Sequence, residues 1–135
     1  MKKLLTSDKI YVSKSRILNA GRGVYARRDI KKGEIIERCP IIEISKHDTS
    51  NLKESMLVTY FFYFGRNKER VAIALGFGSI YNHTDKPNTT YKIKPREKVI
   101  DFIALTDIKK DEELTFNYYN SSNPKDKKNP LWFEG

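Results

Sequence analysis

Residues 111–119, DEELTFNYY, carry the pattern on which the interpretation of this chain depends. The segment is rich in aromatic and apolar residues around a threonine, and this composition is typical of a β-strand. Side chains two positions apart on a strand point to the same face, so Phe116 and Tyr118 are expected to lie side by side. We therefore predict a strand that presents two aromatic side chains to one site.

An internal repeat places this strand in a larger pattern. The segment ALTDIKKDEELT, which begins at Ala104, repeats ARRDIKKGEIIE, which begins 78 positions earlier at Ala26. In each copy Asp-Ile-Lys-Lys is followed by Gly33 or Asp111, residue types that tolerate positive φ in a turn. The repeat predicts two similar β-turn-β units packed with pseudo-symmetry.

Further strand-like runs lie between turn signals along the rest of the chain. They are KIYVS, GVYA, EIIERCPIIEI, YKIKP and VIDFIAL. Residues 51–64 lack strict alternation, and Leu52, Met56, Tyr60 and Tyr63 recur at roughly helical spacing, which predicts one short helix there. We expect a mainly β protein with one or two short helices, folded as a single domain over residues 1–135.

Composition excludes several classes of protein. The single cysteine, Cys39, rules out an internal disulfide and a multi-cysteine zinc site within one chain. The longest apolar run, residues 56–64, falls well short of the ~20 residues that span a bilayer. The first residues, MKKLLTSDKI, lack the apolar core of a signal peptide. An intracellular protein that does not enter a membrane is expected, located in the cytoplasm or, in a eukaryotic setting, the nucleus.

The charge is strongly positive, with 26 basic against 17 acidic residues and a net charge of +9. Much of the excess lies near the N-terminus, where only Asp8 and Asp29 oppose ten basic residues: Lys2, Lys3, Lys9, Lys14, Arg16, Arg22, Arg27, Arg28, Lys31 and Lys32. Such a face attracts polyanions, including nucleic acid. A solvated basic surface without that role is an equal alternative.

Two further motifs accompany residues 111–119: GRGVYA at 21–26 and YNHTDKPN at 81–88. Each is weak alone, but in this order and spacing the three resemble the SET domain. The resemblance covers roughly residues 10–119 and implies a β-clip-like fold of several short sheets with a C-terminal pseudoknot, in which the last motif threads past the middle one. It is closest to the minimal SET proteins of viruses and microbes, down to ALGFG at 74–78.

The SET resemblance implies an enzyme that transfers methyl groups from S-adenosylmethionine to lysine side chains of a protein substrate such as a histone. The accessory zinc modules of larger relatives are absent, so no zinc is expected. The three-cysteine module that many relatives carry after the final tyrosine is also missing, and the tail, residues 120–135, is expected to cover the cofactor site instead. The oligomeric state is left open between monomer and homodimer.

This sequence departs from the SET pattern at three positions. Thr84 replaces the usual serine, Asp111 the usual glycine and Asn117 the common aspartate. Threonine keeps the hydroxyl, aspartate can adopt positive φ, and asparagine keeps an acceptor oxygen without the charge. All three changes are compatible with the fold.

Three aromatic residues are implied at the methyl-transfer point. Tyr118 is identified as the catalytic tyrosine, whose hydroxyl orients the amine and the methyl group. Phe116 lines the lysine channel, and because phenylalanine leaves more room there than tyrosine, di- or trimethyllysine is expected. Tyr60 is a third channel residue, with a place in the core as the alternative.

The resemblance also implies a set of cofactor contacts. The backbone of Gly21, Arg22 and Gly23 is expected to approach the methionine end, with a simple tight turn as the alternative. Asn82 meets the same end, and His83 holds the adenine edge through its backbone unless it is only a structural histidine. Trp132 either stacks on the adenine or covers core residues that would otherwise be exposed. Phe133 is a second candidate for covering the cofactor.

A function from a different class remains in competition with the enzyme. A SET-like, non-catalytic module could bind nucleic acid or chromatin through its basic surface. Tyr118 and the Asn82–His83 pair argue against this alternative, since a pure binder has no use for them. The chain also lacks the spaced exposed aromatics of a base-stacking platform.

Overall fold

The computed structural model describes residues 3–118, which fold into two β-sheets with short helical segments between them. The nine strands of these residues are β1 (Ile10–Lys14), β2 (Arg22–Ala26), β3 (Ile35–Ile44), β4 (Phe62–Phe64), β5 (Arg70–Ala74), β6 (Asn82–His83), β7 (Thr89–Lys94), β8 (Val99–Ala104) and β9 (Glu113–Phe116). The predicted mainly β fold is confirmed.

The smaller sheet has four strands in the order β1-β2-β9-β6. β9 lies between β2, to which it is antiparallel, and β6, to which it is parallel, with Asn82 opposite Thr115 and His83 opposite Phe116. This sheet therefore joins all three sequence motifs, although they are far apart along the chain.

The larger sheet has five strands in the order β4-β5-β3-β8-β7. Its inner face contributes Phe62 and Phe102 to a core that also contains Tyr81 and Phe116. The rings of Tyr81 and Phe102 stack with their centroids 4.4 Å apart and their planes 7° from parallel. The aromatic residues that the site uses are thus fixed by the packing between the two sheets.

In the structure, the two copies of the sequence repeat are related by pseudo-two-fold symmetry. Ile30 and Ile108, equivalent positions in the two copies, exchange backbone hydrogen bonds of 2.8 and 2.7 Å. The flanking contacts are reciprocal as well: the backbone N–H of Lys32 donates to Asp107, and that of Lys110 donates to Asp29, both at 2.9 Å.

The residues that follow the two Asp-Ile-Lys-Lys segments both have positive φ. The angle is 88° at Gly33 and 68° at Asp111. The prediction of two similar β-turn-β units is confirmed, and the aspartate occupies the conformation that the glycine of the first copy adopts.

The predicted short α-helix is present, but its predicted position within residues 51–64 is wrong. Helix α1 (Lys46–Leu52) begins earlier, because the Ser45 side chain caps it by accepting from the backbone N–H of Asp48. A 3-10 helix (Met56–Tyr60) and strand β4 follow, and a further 3-10 turn spans Arg66–Lys68. Residues 62–64 alternate between buried and exposed positions, which is the period of a strand.

Among residues 3–118, no helix is long and apolar enough to cross a membrane.

Candidate functional site

The three sequence motifs meet at the carboxylate of Glu113, the first residue of β9. The amide nitrogen of Asn82 donates to this carboxylate at 2.9 Å and to the backbone carbonyl of Arg22 at 2.8 Å. The hydroxyl of Ser15 and the backbone N–H of Arg16 also donate to it, at 2.8 and 3.1 Å. One carboxylate thus fixes the first motif against the second and third, in the manner expected of a charged acceptor with several donors.

The second glycine of the Gly-x-Gly motif permits this close assembly. A Cβ on Gly23 would collide with the Glu113 carboxylate and would lie 3.1 Å from the amide nitrogen of Asn82. Gly21 has a different requirement, because its surroundings are open but its φ is 75°. The backbone of the first motif therefore lies directly against the other two.

The end of the second motif fastens onto β9 as well. The Asn88 side chain donates to the backbone carbonyl of Glu113 at 2.9 Å and accepts from the backbone N–H of Thr115 at 3.0 Å. Thr84 uses its hydroxyl to accept from the backbone N–H of Lys86 at 3.2 Å, so the substituted threonine keeps a local bond. The predicted contact between the second and third motifs is confirmed.

Tyr118 lies just beyond the end of β9, and both its backbone and its hydroxyl are held. Its N–H donates to Nδ1 of His83 at 3.0 Å, and its hydroxyl donates to the backbone carbonyl of Tyr81 at 2.6 Å. Burial, together with the nearby Tyr60 and Glu113, raises the pKa of Tyr118 to about 12. The hydroxyl therefore stays protonated at neutral pH and is able to donate as well as to accept a hydrogen bond.

Phe116 packs directly beside this tyrosine. The two ring centroids are 5.0 Å apart, although the strand ends at Phe116 rather than continuing to Tyr118. Phe116 is only 4% exposed, and its ring also contacts the rings of Phe62, Tyr81 and Tyr91. Its side chain is thus part of the core as well as of the site.

An open cavity of about 1200 Å³ extends along these residues. Of the candidate residues, those that line it are Arg22, Tyr60, Asn82, His83, Phe116 and Tyr118. Tyr60 reaches the cavity from the 3-10 helix and is 37% exposed, which agrees with a wall rather than with the core. Gly21 and Gly23 do not line the cavity, although Arg22 between them does. Trp132 and Phe133 lie outside residues 3–118.

Sequence reasoning missed Glu113, which organises the site. Its partners Ser15 and Asn82 lie 98 and 31 residues away along the chain, so no local sequence pattern predicts these contacts. The available signal was Gly23, because a glycine within a strand often marks a close approach by another group. That signal does not tell which group approaches.

No metal site is evident within residues 3–118, where no three histidine, cysteine, aspartate or glutamate side chains are grouped to hold an ion. Cys39 is fully buried, and burial raises the pKa of its thiol above the ordinary value, so it stays protonated.

The chain folds into two β-sheets, and three motifs that are distant in sequence come together beside one cavity. This arrangement is the one expected of a SET domain. The SET domain family model matches residues 21–119. The chain belongs to the SET-domain family.

Comparison with individual proteins gives the same class. A Schizosaccharomyces pombe histone-lysine N-methyltransferase, "H3 lysine-37 specific", is 32% identical over 115 residues, which are 84% of this chain and 71% of that protein. The crystal structure of a candidate histone methyltransferase of Plasmodium falciparum is 32% identical, with a TM-score of 0.69, over 87% of this chain and 96% of the other.

A larger assembly contains a similar domain. The Chaetomium thermophilum polycomb repressive complex 2, in an autoinhibited conformation bound to S-adenosylmethionine, matches with 28% identity and a TM-score of 0.69. The match covers 91% of this chain but only 16% of that one, so the similarity concerns one part of the larger protein.

Proposed function

We propose that this chain is a protein-lysine N-methyltransferase that uses S-adenosylmethionine. The observation that carries the proposal is the Tyr118 hydroxyl, fixed by Tyr81 at the wall of the cavity, within a SET fold. The similar proteins described as histone-lysine methyltransferases support it.

The residues around Tyr118 suit a lysine amine. Lysine is protonated near its ordinary pKa of about 10.4, and only the neutral amine can attack a methyl group. Phe116, Tyr60 and Tyr118 form an aromatic wall that disfavours the charged ammonium through desolvation. The Tyr118 hydroxyl donates a hydrogen bond to the backbone carbonyl of Tyr81. The same hydroxyl can therefore accept a hydrogen bond from an N–H of the amine and orient the nitrogen lone pair.

The cofactor is assigned to the part of the cavity beside the Gly-x-Gly turn. S-adenosylmethionine, when bound, supplies a methyl group on a positively charged sulfur. Gly21 and Gly23 leave both ends of this turn without side chains, and Asn82 holds the Arg22 carbonyl in place. We assign the methionine end to Gly21, Arg22, Gly23 and Asn82, and the adenine edge to the backbone of His83.

The C-terminal tail, residues 120–135, is proposed to complete the cofactor site within a single domain that spans residues 1–135, with Trp132 stacking on the adenine. Two substitutions test this, Trp132→Ala and Phe133→Ala. Calorimetry with S-adenosylmethionine should show weaker binding for the first, whereas weaker binding only for the second would assign the role to Phe133.

The proposed reaction needs no zinc, since transfer from a sulfonium requires alignment rather than a Lewis acid, and activity should survive treatment with a zinc chelator.

A histone is the proposed substrate, and an intracellular location, nuclear in a eukaryotic setting, follows from it. A panel of recombinant histones with S-adenosylmethionine, analysed by mass spectrometry, tests the activity and finds the lysine. Transfer by the wild-type protein and not by Tyr118→Phe would support the proposal. Absence of both cofactor binding and transfer would favour the alternative, a non-catalytic module.

Contact with nucleic acid is proposed at the face formed by β1 and β2. Lys14 lies directly opposite Arg22 in the register of these strands, and both are exposed. The two lysine pairs of the repeat are less suited, because the acidic residues of the same turns offset them. Binding to a DNA duplex should weaken steeply with salt. A flat salt response, or unchanged binding by the Lys14→Ala/Arg22→Ala variant, would contradict it.

A further inference from the structure

We infer that Glu37, a buried carboxylate on β3, is a positioning residue for methyl transfer, acting on the hydroxyl of Tyr118 through Tyr81. The inference rests on the proposed function. Glu37 does not line the cavity described above, and it lies outside the three sequence motifs.

Tyr81 connects the two groups. Its hydroxyl donates to Oε1 of Glu37 at 2.9 Å, and its backbone carbonyl accepts from the Tyr118 hydroxyl at 2.6 Å. The ring between these two contacts is 1% exposed and stacks on Phe102. Both ends of Tyr81 are therefore fixed, and the end that faces the site is the acceptor that sets the direction of the Tyr118 proton.

Glu37 also holds the loop that leads to Tyr81. Its Oε2 accepts from the backbone N–H of Phe77 at 2.9 Å. A Cβ on Gly76, where φ is 62°, would lie 2.7 Å from the same oxygen. The glycine thus lets the loop backbone close over the carboxylate, and one side chain fixes both the start of this segment and the tyrosine at its end.

The consequence for the reaction lies in the orientation of a single hydroxyl. If Tyr81 loses its anchor, its ring and backbone gain freedom, and the carbonyl no longer holds the Tyr118 proton away from the substrate. A hydroxyl that rotates presents its proton instead of its lone pairs to the amine. Turnover should fall, whereas cofactor affinity should change little, because the Asn82 side chain is held separately by the Arg22 carbonyl and the Glu113 carboxylate.

The five-stranded sheet offers a matched control in Asp101 on β8. Asp101 is also a buried carboxylate, 1% exposed, but its partners are Arg38 at 2.6 Å and Lys94 at 3.0 Å, and neither touches Tyr81 or Tyr118 by a hydrogen bond or ion pair. Replacing either carboxylate by leucine removes a buried anchor of the same chemical type. Only the Glu37 change should alter the kinetics of the folded protein.

The experiment compares Glu37→Leu, Glu37→Gln, Tyr81→Phe and Asp101→Leu as full-length proteins. For each variant, kcat and KM for a lysine substrate are measured with calorimetry for S-adenosylmethionine and with thermal unfolding. Glu37→Leu and Tyr81→Phe should lower kcat about tenfold with little change in cofactor affinity. Glu37→Gln should keep most of the activity, because a glutamine accepts from Phe77 and donates to the Tyr81 hydroxyl.

The outcomes separate the inference from a merely structural role. If Glu37→Leu does not fold, the inference is tested with Tyr81→Phe, because this change keeps the ring and removes only the hydroxyl that donates to Glu37. A wild-type kcat in folded Tyr81→Phe, or an equal loss of kcat in Asp101→Leu, would overturn the inference while leaving the proposed function intact. Failure of the wild-type protein to transfer methyl groups would instead overturn the proposed function, and the inference with it.

Discussion

The hydroxyl of Tyr118 donates to the backbone carbonyl of Tyr81, 37 residues earlier in the chain, at 2.6 Å. This contact decides which part of the hydroxyl faces the cavity. Because the proton is already engaged by the Tyr81 carbonyl, the oxygen can meet a substrate N–H only as an acceptor. The site is in this respect oriented before any substrate arrives, which is how a fixed dipole contributes most to a reaction.

The substitution Tyr118→Phe should therefore reduce turnover far more than cofactor affinity. Removing one preorganised polar group commonly lowers kcat by about 100-fold. Steady-state kinetics and calorimetry with S-adenosylmethionine measure the two quantities separately. Equal losses in both would indicate that Tyr118 serves the fold.

The pH dependence of the reaction should not contain an ionisation of Tyr118 in the ordinary working range. Burial first, then the nearby Tyr60 and Glu113, raise its pKa to about 12, so the neutral hydroxyl persists well above neutral pH. The rate is expected to rise with pH as the substrate lysine loses its proton, and to show no loss up to about pH 10. A fall in kcat between pH 8 and pH 10, in protein shown by circular dichroism to stay folded, would contradict this.

Asn82→Ala should weaken the binding of S-adenosylmethionine. The change removes the donor to the Arg22 carbonyl and to the Glu113 carboxylate, so the turn proposed to hold the methionine end of the cofactor loses its support. Two such bonds correspond to about a tenfold to hundredfold rise in Kd, measured by calorimetry. Asn88→Ala is the control, since Asn88 also binds β9 but does not line the cavity. Unchanged affinity in Asn82→Ala would refute its placement.

Gly23→Ala should disrupt the site, whereas Gly33→Ala should not. The new methyl group at Gly23 meets the Glu113 carboxylate and the Asn82 amide, and such overpacking costs about 1–3 kcal/mol. At Gly33 the space is open, and only the positive φ of 88° is strained. Cofactor binding and thermal unfolding of both variants check this. If both variants lose only stability, the turn at Gly23 has no role in binding.

Phe116→Tyr should shift the product toward monomethyllysine. If Phe116 lines the lysine channel as proposed, the wild-type phenylalanine leaves room there for a methylated nitrogen to turn its lone pair, so di- or trimethyllysine is expected. A hydroxyl added beside Tyr118 occupies that room, and a polar contact of about 1 kcal/mol changes product ratios severalfold. Mass spectrometry of a peptide at long reaction times gives the distribution. Monomethyllysine alone from the wild type, or an unchanged distribution in the variant, would show that Phe116 does not set the channel.

The sequence was sufficient to predict those parts of the fold that repeat or that belong to a motif. The Asp-Ile-Lys-Lys repeat predicted two similar β-turn-β units, because equal turns tend to form equal structures, whereas the bridge between Ile30 and Ile108 is known only from the structure. The position of the helix was not predictable from spacing alone, since Ser45 outside the apolar window sets its start.

Glu113 and Glu37 were missed for a shared physical reason. Each is a charged residue within a strand-like run, and such residues are usually exposed to solvent. Their partners come from distant segments: Ser15 and Asn82 for Glu113, and Phe77 and Tyr81 for Glu37. Only the three-dimensional arrangement shows that these carboxylates are acceptors inside the protein.

The sheet order β1-β2-β9-β6 also bears on how the molecule is made. β2 contains Gly23 of the Gly-x-Gly motif, and its partner β9 ends at Phe116, so a ribosome must synthesise every element between them before the two can pair. Contacts between segments so far apart are slow to form because a long loop must close first. The nascent chain can complete the hairpin of β1 and β2 early, but the pocket for a methyl donor can take shape only after β9 has been synthesised.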